Sequence, residues 1–171
     1  MLSKLIRFID RVTELAGKAG SLVLPLLIVT ILVNVALRYV FNLGLIELEE
    51  LQWHLNALVV MCCLAWAYQC DTHVRVDVLH SRMGPRARAL VEVLGVLFLL
   101  LPFAGLVTWH AWKIFFFSWS LKEGSPMPSG LPARYIIKGV MVAGLALLVV
   151  QGVSILLTSL RRLGASLGEA R

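Results

Sequence analysis

GVMVAGLALLVVQGVSILLTSL, residues 139–160, runs for 22 residues without a charge. A helix rises about 1.5 Å per residue, so this stretch reaches across a hydrocarbon core about 30 Å thick. Three more charge-free stretches of the same size stand upstream. They are residues 19–37, 51–70 and 93–112, which are 19, 20 and 20 residues long. The charges between them fall in short blocks. Composition agrees: 59% of residues are hydrophobic and 15% charged, against about 25% charged in soluble proteins. A soluble chain of 171 residues could not hide that much apolar surface. The reading is an all-α membrane protein, one domain over residues 1–171. Its four transmembrane helices are expected at about 19–41, 49–70, 86–119 and 133–160.

Ahead of the first span, Leu5, Ile9, Val12 and Ala16 recur at helical spacing, with Leu2, Ile6 and Leu15 beside them. Ser3, Lys4, Arg7, Asp10, Arg11, Glu14 and Lys18 fill the opposite side. That pattern predicts an amphipathic helix over residues 1–18, lying in the membrane interface. The first span should be retained rather than cleaved. Its apolar run is longer than a signal core, and Asn34-Val35-Ala36 is a poor cleavage site. Lysine and arginine set the orientation. With both termini inside, the inner segments hold eleven basic residues and the outer ones five, the usual bias toward the cytoplasm. Pro102, midway along the third span, predicts a kink. The stretch 123–132, rich in glycine and proline, predicts an irregular outer loop held by contacts.

Polar residues within the spans are few: Asn34, Gln52, His54, Asn56, Gln69, His110 and Gln151. None is a carboxylate or a strong base, and no span has a broken, glycine-rich centre. A chain of this kind is poorly equipped to carry solute by itself. Asn34, Asn56 and Gln151 are expected to hydrogen-bond across helix–helix or subunit–subunit interfaces, at about 0.6 kcal/mol each. Cys62 and Cys63 are adjacent, so their side chains point about 100° apart and suit packing rather than metal or redox chemistry. His54 and His110 both lie near the outer ends of their spans. They leave open an alternative reading, a haem-bearing membrane anchor of a respiratory complex. No nucleophile or cleft accompanies the acids, so no enzyme activity is expected, and neither metal nor cofactor is called for. Nothing in the charge pattern calls for a nucleic acid, and membrane lipids are the expected surroundings.

Glu47, Glu49 and Glu50 open the second span, where the helix dipole favours carboxylates. Arg38 closes the first span on the same side and could pair with Glu49 or Glu50. Lys122 and Glu123 should join this outer rim, which makes these six residues the candidate subunit or docking interface. In the inner loop, His73-Val-Arg75-Val-Asp77 alternates polar and apolar positions and reads as a short extended or interfacial segment. His73, Arg75 and Asp77 join Asn34, Asn56 and Gln151 as candidate structural polar residues.

Three stretches together resemble a known family. They are Glu49-Glu50-Leu51-Gln52 at the second span, His73-Val-Arg-Val-Asp77 after it, and Glu123-Gly-Ser-Pro…Gly130-Leu-Pro132 before the fourth. In their order and spacing the chain is similar to the small membrane subunit of tripartite ATP-independent periplasmic (TRAP) transporters, the DctQ-like family. The resemblance covers about residues 10–160. Arg38, Glu49, Glu50, His73, Arg75 and Asp77 match that family's charged positions. It implies a place in a bacterial inner membrane and two partners. One is a large transmembrane subunit holding the substrate and sodium sites; the other is a periplasmic solute-binding protein delivering the solute, commonly an organic acid. The small subunit would act as scaffold and part of the docking surface.

Overall fold

The computed structural model describes residues 2–72 and 83–168, and every regular element among them is helical. Helix α1 runs Leu2–Val40 and α2 runs Ile46–Gln69. The third transmembrane helix is built from α3 (Pro85–Gly95), a π-helical turn (Val96–Leu100) and α4 (Leu101–Ser120). Helix α5 runs Tyr135–Gly168. Four stretches are long and apolar enough to cross a membrane: Ser3–Val40, Ile46–Gln69, Arg86–Ser120 and Tyr135–Arg161. The all-α, four-span reading of the sequence therefore stands. His73, Arg75 and Asp77 lie outside the described residues.

The helix ends have local causes. Leu43 N–H donates to Leu37 C=O (2.9 Å) while Asn42 takes a left-handed φ of 53°, the geometry that closes a helix C-terminus. Asp71 (φ 57°) and Lys122 (φ 48°) stand just past α2 and α4 in the same conformation. Glycine usually fills such positions, so these stops are hard to see in the sequence. Pro102 has no N–H to offer the carbonyl four residues back, and its ring crowds that carbonyl. The chain answers with the wider π turn immediately before it, closed by Leu101 N–H to Val96 C=O.

Residues 2–40 form one unbroken helix, so the segment 2–18 continues directly into the first span. At about 1.5 Å per residue its 39 residues extend about 58 Å, well beyond the hydrocarbon core. Side chains of this segment face α5. Gln151 donates from Nε2 to Asp10 Oδ1 (3.0 Å), Ser154 donates to the same oxygen (3.1 Å), and Thr13 donates to Gln151 Oε1 (2.9 Å). Asp10 looked from sequence like part of a solvated face. Here it accepts two hydrogen bonds at a helix interface.

Helix α5 packs against every other helical segment, and α1 packs most extensively on α2. The buried residues are mostly small or polar: Thr13, Asn34, Ala65, Ala104, Ser118, Gln151 and Ser154. Large apolar side chains point outward, as lipid permits. Close approach rests on small residues. A β-carbon on Gly20 would lie 2.6 Å from Cys62 Cβ, and one on Gly144 would lie 2.7 Å from both Met61 Cβ and Met61 O. Cys62 and Cys63 thus belong to the α1–α2 contact. Gly144→Ala should force α2 and α5 apart and destabilise by about 1–3 kcal/mol. Gly95 has nothing within 4 Å of its would-be β-carbon, so Gly95→Ala should be neutral or slightly stabilising. Thermal unfolding of both variants in one detergent checks the contrast.

Candidate functional site

One end of the bundle gathers the end of α1, the start of α2, and the loop 121–134 that joins α4 to α5. Glutamates from two of these pieces each take a different partner. Arg38 Nη1 lies 3.0 Å from Glu49 Oε1, linking the ends of the first helical hairpin. Both side chains are well exposed, at 58% and 41%, so this pair contributes only about 0–1 kcal/mol.

Glu50, one residue on, turns to the loop. Its Oε1 accepts from Ser125 Oγ and its Oε2 accepts from Leu131 N–H (2.6 Å). Ser125 N–H in turn donates to Leu131 C=O (3.2 Å), so one carboxylate bridges the two ends of a short closed loop. Gly130 is required there by space: a β-carbon would come within 2.8 Å of Glu50 Oε2.

Glu123 fastens the loop's other side. Its Oε2 accepts from Lys138 Nζ (2.5 Å), on the first turn of α5, and from Ser118 Oγ (2.6 Å), near the end of α4. The Lys138 hydrogen bond first, and the Ser118 one second, hold the Glu123 carboxyl below the usual glutamate range. The charge of Arg134 acts on both Glu50 and Glu123. Beneath the loop, Trp119 meets Tyr135 edge to face, with ring centroids 5.0 Å apart.

Glu47 and Lys122 are different. Both are exposed, and neither side chain has a hydrogen bond or ion pair among the described residues. The sequence named the six rim residues but could not sort them. It missed Ser118, Ser125 and Leu131, and it did not pair Lys138 with Glu123. The Gly-Ser-Pro and Gly-Leu-Pro punctuation was the available signal for the loop's contacts.

The remaining candidates scatter. Asn34 is buried with no partner for its Oδ1 among the described residues. Asn56 is exposed on the outside of the bundle rather than between helices. Gln151 sits in the network with Asp10 and Thr13 at the other end of the bundle. His54 donates from Nδ1 to the Glu50 carbonyl (2.6 Å), and His110 is exposed on α4.

Comparison with known proteins decides the family. The family model for the DctQ component of tripartite ATP-independent periplasmic transporters matches residues 27–162. The chain belongs to the DctQ family. A relative in Haemophilus influenzae, provisionally named a TRAP transporter small permease protein, is 26% identical over 145 residues. The alignment covers 85% of this chain and 86% of that relative. No solved structure matches. As a DctQ-family protein the chain is a multi-pass inner-membrane component of a transporter and not an enzyme. The haem-anchor alternative is not favoured by that membership.

The depressed acidity of Glu123 has a sign. Because its folded value lies below its unfolded one, its contribution to stability is complete above the ordinary glutamate range. It is lost as pH falls through the depressed folded value. The stability advantage of the wild-type chain over Glu123→Gln should therefore be flat near neutrality and vanish on acidification below that range. Melting temperatures of the two proteins between neutral pH and pH about 3 check this.

Proposed function

We propose that this DctQ-family chain scaffolds the large membrane subunit of its TRAP transporter and offers part of the surface on which a periplasmic solute-binding protein docks. The work served is sodium-driven uptake of an organic acid, with the substrate and sodium sites on the large subunit. Family membership supplies the class of assembly. The observation that carries the rest is the division of labour at the outer rim. Glu49, Glu50 and Glu123 are engaged within the chain and shape the rim, whereas Glu47 and Lys122 stay exposed and available to a partner. Inside the bundle, Gly144 is already occupied by Met61, while Gly95 and Gly105 face open space on the third transmembrane helix. That open face suits a neighbouring subunit better than lipid alone, since small residues let backbones approach. Both termini face the cytoplasm in this reading, which puts the rim in the periplasm.

Assembly and docking separate experimentally. A tagged chain purified from native membranes should recover the large subunit at about one to one, as expected of an obligate partner. A clean monomer would defeat the scaffold role. Neutralising Glu47 and Lys122 together should leave that recovery intact while uptake falls and becomes more salt-sensitive, because exposed rim charges act mainly on association rate. Single cysteines at Ser3→Cys and Ser166→Cys, in a chain lacking Cys62, Cys63 and Cys70, should resist an impermeant reagent applied from outside. Labelling of either one would reverse the orientation.

A further inference from the structure

At the end of the bundle opposite the rim, a cavity of about 420 Å³ opens among α1, α2, α3 and α5. Three acids reach its wall from three places: Asp10 on α1, Asp71 just past α2, and Glu92 on α3. The α5 side adds Gln151, Ser154, Thr158 and Ser159. No lysine or arginine lines it among the described residues. The donors on the α5 side are largely spent. Gln151 Nε2 and Ser154 Oγ both go to Asp10 Oδ1, and Thr158 Oγ1 donates to Ser154 C=O (2.9 Å). Most of what remains to face the cavity is acceptor oxygen, which excludes an anion as occupant.

Two independent features leave this wall unfinished. The first is charge. Asp10 is half-buried, both its hydrogen-bond donors are neutral, and it makes no ion pair among the described residues. A carboxylate withdrawn from water is ordinarily paired with a cation or coordinates one. Asp71 and Glu92 have interactions of their own, so Asp10 is the acid left uncompensated. The second is valence. Ser159 is 3% exposed and lines the cavity, yet its side chain has no hydrogen bond among the described residues. Gln69 lines the same cavity, and its buried Oε1 is likewise without a partner. Folded proteins satisfy nearly all such atoms.

We infer that this cavity binds one monovalent metal cation, with Asp10 supplying the charge and Ser159 Oγ, Gln69 Oε1 and water supplying neutral oxygens. Hard cations take oxygen ligands, and that is what the wall offers. One uncompensated carboxylate balances a single positive charge. Among the described residues no group of three histidine, cysteine, aspartate or glutamate side chains converges to hold a metal, so the donor set does not match a divalent ion. The site is independent of the docking reading above and separate from the sodium sites assigned there to the large subunit. Its consequence is structural: a bound cation neutralises the carboxylate that ties α1 to α5.

The test uses the full chain in detergent, without the large subunit, so that no other cation site contributes. Melting temperature is measured in lithium, sodium, potassium and choline chlorides at equal ionic strength. Choline controls for screening, because it is too large to be coordinated as a bare ion. At least one of the three metal ions should raise the melting temperature saturably, by about 3 °C or more at about ten times its dissociation constant. Asp10→Asn keeps an acceptor for Gln151 and Ser154 and should erase the difference between that ion and choline. Ser159→Ala leaves the Asp10 hydrogen bonds in place and should weaken the apparent affinity severalfold. Equal melting temperatures in all four salts would overturn the inference and leave water as the occupant. Stabilisation by magnesium or calcium alone would overturn it too, as would an ion-specific increment that persists in Asp10→Asn. If Asp10→Asn does not fold, Ser159→Ala decides, and an unchanged affinity there defeats the site.

Discussion

Helix α5 can touch every other helix because its inward face is small and polar. Gly144 lets the α2 backbone come close at Met61, and Gln151 and Ser154 reach Asp10 across to α1. In lipid there is no hydrophobic drive to bury leucine, so association depends on close backbone approach and on satisfying polar groups that hydrocarbon would leave unpaired. Large side chains are accordingly turned outward and the interior is lined with threonine, serine, alanine and glutamine.

The two ends of the bundle are stitched by different chemistry. At one end a single carboxylate, Asp10, collects neutral donors from α5 and ties the start of α1 to it. At the other end two carboxylates, Glu50 and Glu123, collect donors from the loop and from the helices beneath. Charge-assisted bonds of this kind are shorter and stronger than neutral ones. They act here on the segment with the least regular structure, and so a loop of glycines and prolines has a defined shape. The Arg38–Glu49 pair beside them is water-exposed and contributes little stability. Its consequence is to leave Glu50 as the acid that serves the loop.

The chain is a transporter component and not an enzyme, and its surfaces are of two kinds. The spans offer an apolar belt with open glycines on the third transmembrane helix. The rim offers a shaped loop with free charges beside it. Both follow from the same economy of polar groups: those needed internally are consumed in pairs, and the ones left over are the residues a partner can meet.

The four spans were legible because the hydrocarbon thickness imposes one length, and stretches such as 139–160 meet it whatever their neighbours. Residue chemistry also named the rim, since carboxylates at a helix start and an arginine at a helix end are local signals. Partnership was not local. Whether Arg38 took Glu49 or Glu50 depends on which side of α2 the loop falls, and the loop is 75 residues further along the chain from Glu50 at Ser125. Asp10 looked solvated because periodicity reports the faces of a helix and not what stands opposite them. Span length and local charge follow from the chain alone, because each depends on neighbours in sequence. The pairing of polar groups belongs to the tertiary structure, because it depends on which helix faces arrive within about 3 Å of one another.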